Sequence, residues 1–288
     1  MFFISINFIY FCRMLFKTIK YTSIVALTLA FFSCGEYSDV LKSDEVKVKY
    51  DYAEKMYQEG DYRKANYLFE KIAPKFVGKP QGERVLFFLA DTYYKTKNYN
   101  LAGYQFERFI KSYPQSDKLE EASYLMAKSY YELSPNYSLD QTDTETALEK
   151  LQAFINTFPD STLANEANLL AQELDVKKER KAFEITKQYN KLGSFQLTIL
   201  NSAIKSSENF LVDYPGSIYR EDVMFVKFEA MSKLAFNSTQ TKKKERLEEA
   251  KKAYSTLIKY YPETHYKKES DNLIAQVESN LSTFASEN

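Results

Sequence analysis

Few residues in this sequence have the type and spacing for covalent chemistry. His265 is the only histidine in 288 residues, so neither a zinc site nor a His-based catalytic triad is expected. The acidic pairs Glu120-Glu121 and Glu248-Glu249 are adjacent on helix-forming text and point apart, unlike a converging acid/base pair. Ser33 and the other serines lack a nucleophile-elbow context, and the 7 glycines form no phosphate-binding loop. No catalysis, no cofactor and no metal are expected. The chemistry that remains is non-covalent recognition, and its carriers are aromatic: Tyr and Phe supply 16% of the chain, with no Trp.

One thiol is the exception. Cys12 and Cys34 are the only cysteines, so the body of the protein has no disulfide framework. Arg13, Lys17 and Lys20 precede an uncharged, mostly apolar run from Tyr21 to Ser33, and Cys34 follows. Thirteen residues are too few to cross roughly 30 Å of hydrocarbon at about 1.5 Å per helical residue. A basic start, a short apolar core and a small residue before the cut fit a secretory signal. Ala30-Phe31-Phe32-Ser33-Cys34-Gly35 resembles a bacterial lipobox. That resemblance implies a Cys34 that is lipidated and becomes the first residue of the mature chain. A thiol left free there would be open to oxidation in an oxidising compartment. A signal should open on its basic region, so the natural start is expected at Met14, with the apolar stretch Met1 to Cys12 upstream of it; the alternative is a longer, unusual signal that includes that stretch. The expected organisation is a signal peptide over 1–33, a lipidated linker over 34–43 and a helical-repeat domain over 44–288. Each buried methylene contributes roughly 0.8 kcal/mol, and about three acyl chains would make the anchor effectively permanent.

The aromatic residues recur at a fixed interval. Tyr50, Phe87 and Tyr124 are spaced by 37, as are Tyr57, Tyr94 and Tyr131, and as are Ala53, Ala90 and Ala127. A period in this range signals stacked copies of one supersecondary unit, because a single unit cannot bury its own apolar face. The second unit is the clearest: Ala90 and Tyr93 in a first helix, then Ala102, Phe106 and a terminal Pro114 in a second, the layout of a tetratricopeptide repeat. The first unit carries Ala53 and Met56, a Gly60-Asp61-Tyr62 turn, then Ala65, Phe69 and Ile72. The third carries Ala127 and Tyr130, then Ala147, Leu151, Phe154 and Pro159, with an insertion from about Ser134 to Asp143. The fourth carries Ala171 and Leu174, then Ala203, Phe210 and Pro215, with about twenty residues added between its halves. The fifth carries Ala250, Tyr254, Leu257 and Pro262. A last helix, Thr264 to Phe284, would cap the stack with Leu273, Ile274, Val277 and Leu281. The expected fold is all-α, a tetratricopeptide-like solenoid of about five helix hairpins plus a capping helix.

The junctions repeat as well. Tyr113-Pro114-Gln115-Ser116, Phe158-Pro159-Asp160-Ser161, Tyr214-Pro215-Gly216-Ser217 and Tyr261-Pro262-Glu263-Thr264 are one motif. Pro ends one helix, and the hydroxyl is suited to cap the next. The balance of 39 basic and 39 acidic residues leaves no basic excess of the kind a nucleic-acid binder shows. The 44% hydrophobic and 27% charged composition is globular.

The lipobox-like cysteine, the five repeats and stretches such as Phe106-x-x-Phe109-Ile110-x-x-Tyr113-Pro114-x-Ser116, echoed at Phe154 to Ser161 and Phe210 to Ser217, resemble the BamD family. Those are lipoproteins of the outer-membrane β-barrel assembly machinery. The resemblance implies a lipid-anchored location on the periplasmic face of the outer membrane. It also implies binding to the barrel core subunit beside other assembly lipoproteins, receipt of unfolded outer-membrane protein segments, and no catalysis. The alternative is another periplasmic tetratricopeptide adaptor lipoprotein, pilotin-like or serving envelope division.

The 37-residue ladder also yields a site. Tyr50 and Tyr57, Phe87 and Tyr94, and Tyr124 and Tyr131 each lie seven apart, about two turns, so each pair shares a face of a first helix. First helices line the concave surface in tetratricopeptide stacks. An aromatic groove is therefore expected, with Lys47, Glu54, Arg84, Asp91, Glu121 and Lys128 on the same face. It suits a segment rich in aromatic side chains, such as an outer-membrane strand. Lys47 or Arg84 could hold a terminal carboxylate. The competing expectation is that these rings only pack neighbouring helices. The basic runs Lys177 to Lys181 and Lys242 to Arg246 are read as solvated helix faces or loops, or as docking points for an acidic partner.

Overall fold

A computed structural model of the chain describes residues 35–285. The expected signal peptide, the Met14 start and Cys34 lie outside the described residues. Among those residues there are helices and turns and no strand. Residues 35–42 form α1. It is followed by α2 (Val46–Gln58), α3 (Tyr62–Ile72), a 3-10 turn (Ala73–Phe76), α4 (Gly82–Lys95), α5 (Tyr99–Ser112) and α6 (Leu119–Leu133). Then come α7 (Thr142–Thr157), α8 (Ala164–Gly193), α9 (Thr198–Asp213), α10 (Arg220–Phe236), α11 (Gln240–Tyr260) and α12 (Lys267–Ala285). The helices fall where the five expected hairpins need them; α2/α3, α4/α5, α8/α9 and α10/α11 pack as pairs, and α12 is the cap. The chain divides into two compact units within α6, after Ser129.

In the first unit, α2 packs on α3, α3 on α4 and α4 on α5. The core is the expected small-plus-aromatic set. Ala53, Ala65, Ala90 and Ala102 are fully buried, and Phe69, Phe106 and Phe109 fill the space between helices. Alanine at the crossings lets the backbones approach, and each buried phenylalanine contributes roughly 1.5–3 kcal/mol. The stretch expected to be a linker behaves differently. Residues 35–42 are helical, Val40 is buried, and the Tyr37 ring stacks on Tyr52 with centroids 6.0 Å apart. The apolar Tyr37, Val40 and Leu41 join the core of the first hairpin because their spacing puts them on one face of a helix.

The turns inside the first two hairpins are superimposable in their bonding. Gly60 has φ +81° and Lys97, 37 residues on, has φ +61°. Asp61 N–H bonds Met56 O and Asn98 N–H bonds Tyr93 O, both at 2.9 Å. Gly60 N–H bonds Tyr57 O and Lys97 N–H bonds Tyr94 O. This paired pattern around a left-handed residue is the Schellman ending of a helix.

In the second unit, α7 packs on α8, α8 on α9 and α10, α10 on α9 and α11, and α12 on α10 and α11. The twenty added residues of the fourth repeat are not a loop. They continue α8 to 30 residues, about 45 Å at 1.5 Å each. Nothing between Ala164 and Leu192 is Gly or Pro, so nothing breaks the helix. It stops at Gly193, where a side chain would run into Leu200. In the cap, Val277 and Ile274 are buried, and Leu273 and Leu281 pack beside them.

The four junctions share one conformation. Tyr113, Phe158, Tyr214 and Tyr261 close their helices with φ between −133° and −127°. Ser116, Ser161, Ser217 and Thr264 then each bond their N–H to that aromatic residue's carbonyl. The hydroxyl is not at the helix N-cap as the sequence suggested. It sits two residues earlier and accepts from the N–H of Lys118, Leu163, Tyr219 or Tyr266 at 3.0–3.3 Å, a hydroxyl turn that leads into the helix. At three of these junctions the hydroxyl proton goes to the previous hairpin's first helix. Ser116 donates to Glu83, Ser217 to Glu179 and Thr264 to Glu221, at 2.5–2.7 Å. The motif therefore stitches repeat to repeat as well as ending and starting helices.

Candidate peptide-recognition site

The ladder residues separate into two groups. Phe87 and Tyr124 are only 7% and 5% exposed, which corrects their placement in a groove: they are packing residues. Phe87 sits edge-on to Phe106 and Phe109 at 6.0 and 5.5 Å. Tyr50, half-buried, lies against Phe69 and Phe76. The reason is spacing. Tyr50, Phe87 and Tyr124 each precede a core alanine by three residues, and three residues along a helix share a face. Tyr130, expected in the core, is partly exposed, with the Lys150 ammonium 5.8 Å from its ring.

Tyr57, Tyr94 and Tyr131 are all half-buried. Tyr131 belongs to the second unit. Tyr94 stands edge-on to Tyr99 at 5.5 Å. Tyr57 is the centre of a cluster. Its ring meets Phe88 at 4.6 Å and Tyr62 at 5.6 Å, and its hydroxyl donates to Asp91 Oδ2 at 2.6 Å. Asp91 is buried, and burial holds its carboxyl above the usual carboxylate range, with the Tyr57 hydrogen bond pulling the other way. Burial and the Asp91 partner together push the Tyr57 phenol up as well.

The polar margin is already cross-linked. Arg84 on α4 pairs with Glu54 on α2, and its guanidinium lies 5.4 Å over the Phe88 ring. A carboxylate arriving at Arg84 must compete with Glu54. Lys118 pairs with Glu121 at 2.8 Å and lies 5.5 Å over Phe87. Lys128 covers Tyr124 at 5.4 Å. Lys47 is exposed and has no acidic partner among the described residues. In the first unit Tyr50, Tyr57, Phe88 and Tyr94 pack against the core and keep part of their surface exposed; Arg84 and Glu54 lie beside Phe88 and Tyr50. Such rings can take up apolar and aromatic side chains, and the neighbouring charges can orient them.

The basic run on α8 has a structural use that spacing alone did not expose. Lys177 Nζ donates to Ser134 Oγ at 2.8 Å, Lys181 Nζ donates to Leu139 O at 2.6 Å, and Arg180 stacks on Tyr137 at 4.1 Å. Lys178 pairs with Glu145 at 3.4 Å. The run clamps the 134–141 loop. In the other run, Arg246 donates to Ser238 Oγ at 2.6 Å.

His265 contacts Glu221 at 2.9 Å and Asp222 at 3.3 Å, in the junction and not in a cleft. Among the described residues no group of His, Cys, Asp and Glu is placed to hold a metal ion, and no helix is long and apolar enough to cross a membrane.

Stacked helix hairpins of this type define a helical-repeat protein. The model of the YfiO family, outer membrane lipoproteins, matches residues 42–201 and 194–285. The chain belongs to that family, which is the BamD family named above. No curated protein sequence matches the chain.

Proposed function

We propose that the protein is a lipid-anchored scaffold of outer-membrane β-barrel assembly. In this reading Cys34 carries the acyl chains and the repeats face the periplasm. They bind the barrel-forming core subunit and other assembly lipoproteins, and they receive unfolded outer-membrane protein segments. The protein performs no catalysis. The observation that carries the reading is the family match over nearly the whole repeat body. The half-open Tyr57 and Tyr94 edges support it, because outer-membrane strands present aromatic girdles and alternate apolar with polar side chains.

Affinity purification from detergent-solubilised envelopes tests it. Recovery of a large β-barrel protein with periplasmic repeat domains is expected. Recovery of secretin or peptidoglycan factors instead would transfer the protein to the adaptor class. Mass analysis of the mature N-terminus tests the anchor: an unmodified Cys34 would remove the membrane half of the proposal.

A further inference from the structure

Two departures from the 37-residue period meet in space. One is the lengthened 134–141 loop; the other is the extension of α8. They enclose a cleft of about 660 Å³, lined by Tyr137 from the loop and by one face of α8. On that face Ile185 and Leu192 are seven residues apart, two helical turns, and they are 38% and 41% exposed. Lys181, Lys187 and Lys191 surround them, and Glu184 is the one acidic lining residue. Lys187 already neutralises Glu184 at 3.3 Å. Asp140 stands beside Lys181. Lys191 has no acidic partner among the described residues. In a chain whose formal net charge is zero, this is a local positive excess around exposed apolar side chains.

We infer that this cleft receives an acidic, amphipathic segment of a partner protein, whose apolar side chains cover Ile185, Leu192 and Tyr137 and whose carboxylates meet Lys191 and compete with Glu184 for Lys187. Two apolar anchors two turns apart are what an amphipathic helix reads in a groove. The lysine stems extend the apolar surface while their ammonium groups stay at its rim, where charge selects partners and speeds encounter. The loop wall is held by the Lys177, Arg180 and Lys181 clamp, so the cleft is formed before the partner arrives. A bilayer is the weaker occupant. Its surface is flat and cannot fill a concavity, and an interfacial helix needs an unbroken apolar face, which the lysines and Glu184 interrupt here. The cleft lies wholly in the second unit and does not depend on the Tyr57 cluster.

The test is site-specific photo-crosslinking in the full-length lipoprotein in its native membranes. A photoreactive side chain is placed at Ile185 or at Leu192, with Gln172 on the same helix as control, and the adducts are mapped to the residue. The expected adduct is a protein segment of net negative charge carrying apolar residues at helical spacing. Lys187→Glu with Lys191→Glu should lower its yield by about threefold or more, because each reversal replaces an attraction by a repulsion. An unchanged thermal unfolding curve would show that the double variant still folds. Any of four results overturns the inference: adducts to lipid, adducts to neutral or basic segments, yields no higher than at Gln172, or a yield indifferent to the charge reversal. The barrel-assembly reading survives each of them, because its own test is which proteins co-purify.

Discussion

Tyr57 of α2 donates its phenolic hydrogen to Asp91 Oδ2 of α4 over 2.6 Å, 34 residues away in the chain. Asp91 is only 3% exposed, so this bond joins two hairpins through a carboxylate that water barely reaches. Tyr57→Phe keeps the ring contacts with Phe88 and Tyr62 but leaves the carboxylate short of a donor. The expected cost is about 1–3 kcal/mol, read as a lower midpoint in urea unfolding. No loss of stability would mean that Asp91 is protonated or rehydrated in the native protein.

The same carboxylate gives the protein a pH dependence of unusual sign. Burial raises the Asp91 pKa from its ordinary 3.8, so the folded state binds more protons than the unfolded state between 3.8 and the raised value. Stability from this group is full below 3.8 and is lost as pH rises through the folded pKa. Asp91→Asn retains an acceptor for Tyr57 and removes the titration. The difference in melting temperature between variant and wild type should shift toward the variant as pH rises from 3.5 to about 6. A difference that stays flat over that range would contradict the assignment.

Lys97 occupies a left-handed position that Gly60 fills in the preceding repeat. A side chain there costs about 1–2 kcal/mol, which glycine avoids at the expense of greater freedom in the unfolded chain. Lys97→Gly should therefore raise stability slightly, by about 0.5 kcal/mol or more, and Gly60→Ala should lower it by about 1 kcal/mol. Paired thermal melts of the two variants check the sign. If both changes destabilise, the Lys97 side chain contributes contacts that outweigh its backbone strain.

The junction hydroxyls should matter more than ordinary surface serines. Ser217 accepts from Tyr219 N–H and donates to Glu179, so Ser217→Ala removes a turn bond and an inter-repeat bond together. A loss of about 1–2 kcal/mol is expected, and a double-mutant cycle with Glu179→Gln should show coupling. At the last junction Glu221 is affected by partial burial, which raises its pKa. The Thr264 hydroxyl and His265 outweigh that and hold it below its ordinary 4.5. A lowered carboxylate contributes stability above 4.5 that is lost as pH falls through its folded value, the opposite of Asp91. Glu221→Gln should flatten the acid limb of the unfolding profile below pH 4.5. An acid limb identical to wild type would show that Glu221 contributes nothing there.

The hairpins were legible in the sequence because their signals are local. Four aromatic-Pro-x-Ser/Thr junctions and a 37-residue alanine period mark helix ends and crossing points, and both act within a few residues of themselves. The continuous α8 was less so: a run added to a repeat reads equally well as loop or helix until the absence of Gly and Pro before Gly193 is weighed. The Tyr57–Asp91 and Ser217–Glu179 bonds link residues 34 and 38 apart across separate helices. No periodicity along one helix encodes that register. Phe87 and Tyr124 each precede a core alanine by three residues, a spacing that points to the core, whereas the seven-residue spacing alone groups them with the half-buried Tyr57 and Tyr94 on one face.

That contrast separates recognition from packing by experiment. Phe87 is buried among Phe88, Phe106 and Phe109, so Phe87→Ala leaves a cavity and should cost about 3–5 kcal/mol. Tyr94 touches Tyr99 at 5.5 Å and keeps part of its surface in water. Tyr94→Ala should therefore lower the melting temperature far less. If the open aromatic edges receive client segments, Tyr94→Ala should weaken binding of a labelled outer-membrane strand peptide by about tenfold, a fair value for a central aromatic contact. Phe87→Ala, measured well below its melting point, should change that affinity little, because its ring never meets the ligand. Peptide affinity that follows stability in both variants, with no specific loss for Tyr94→Ala, would assign these rings to packing.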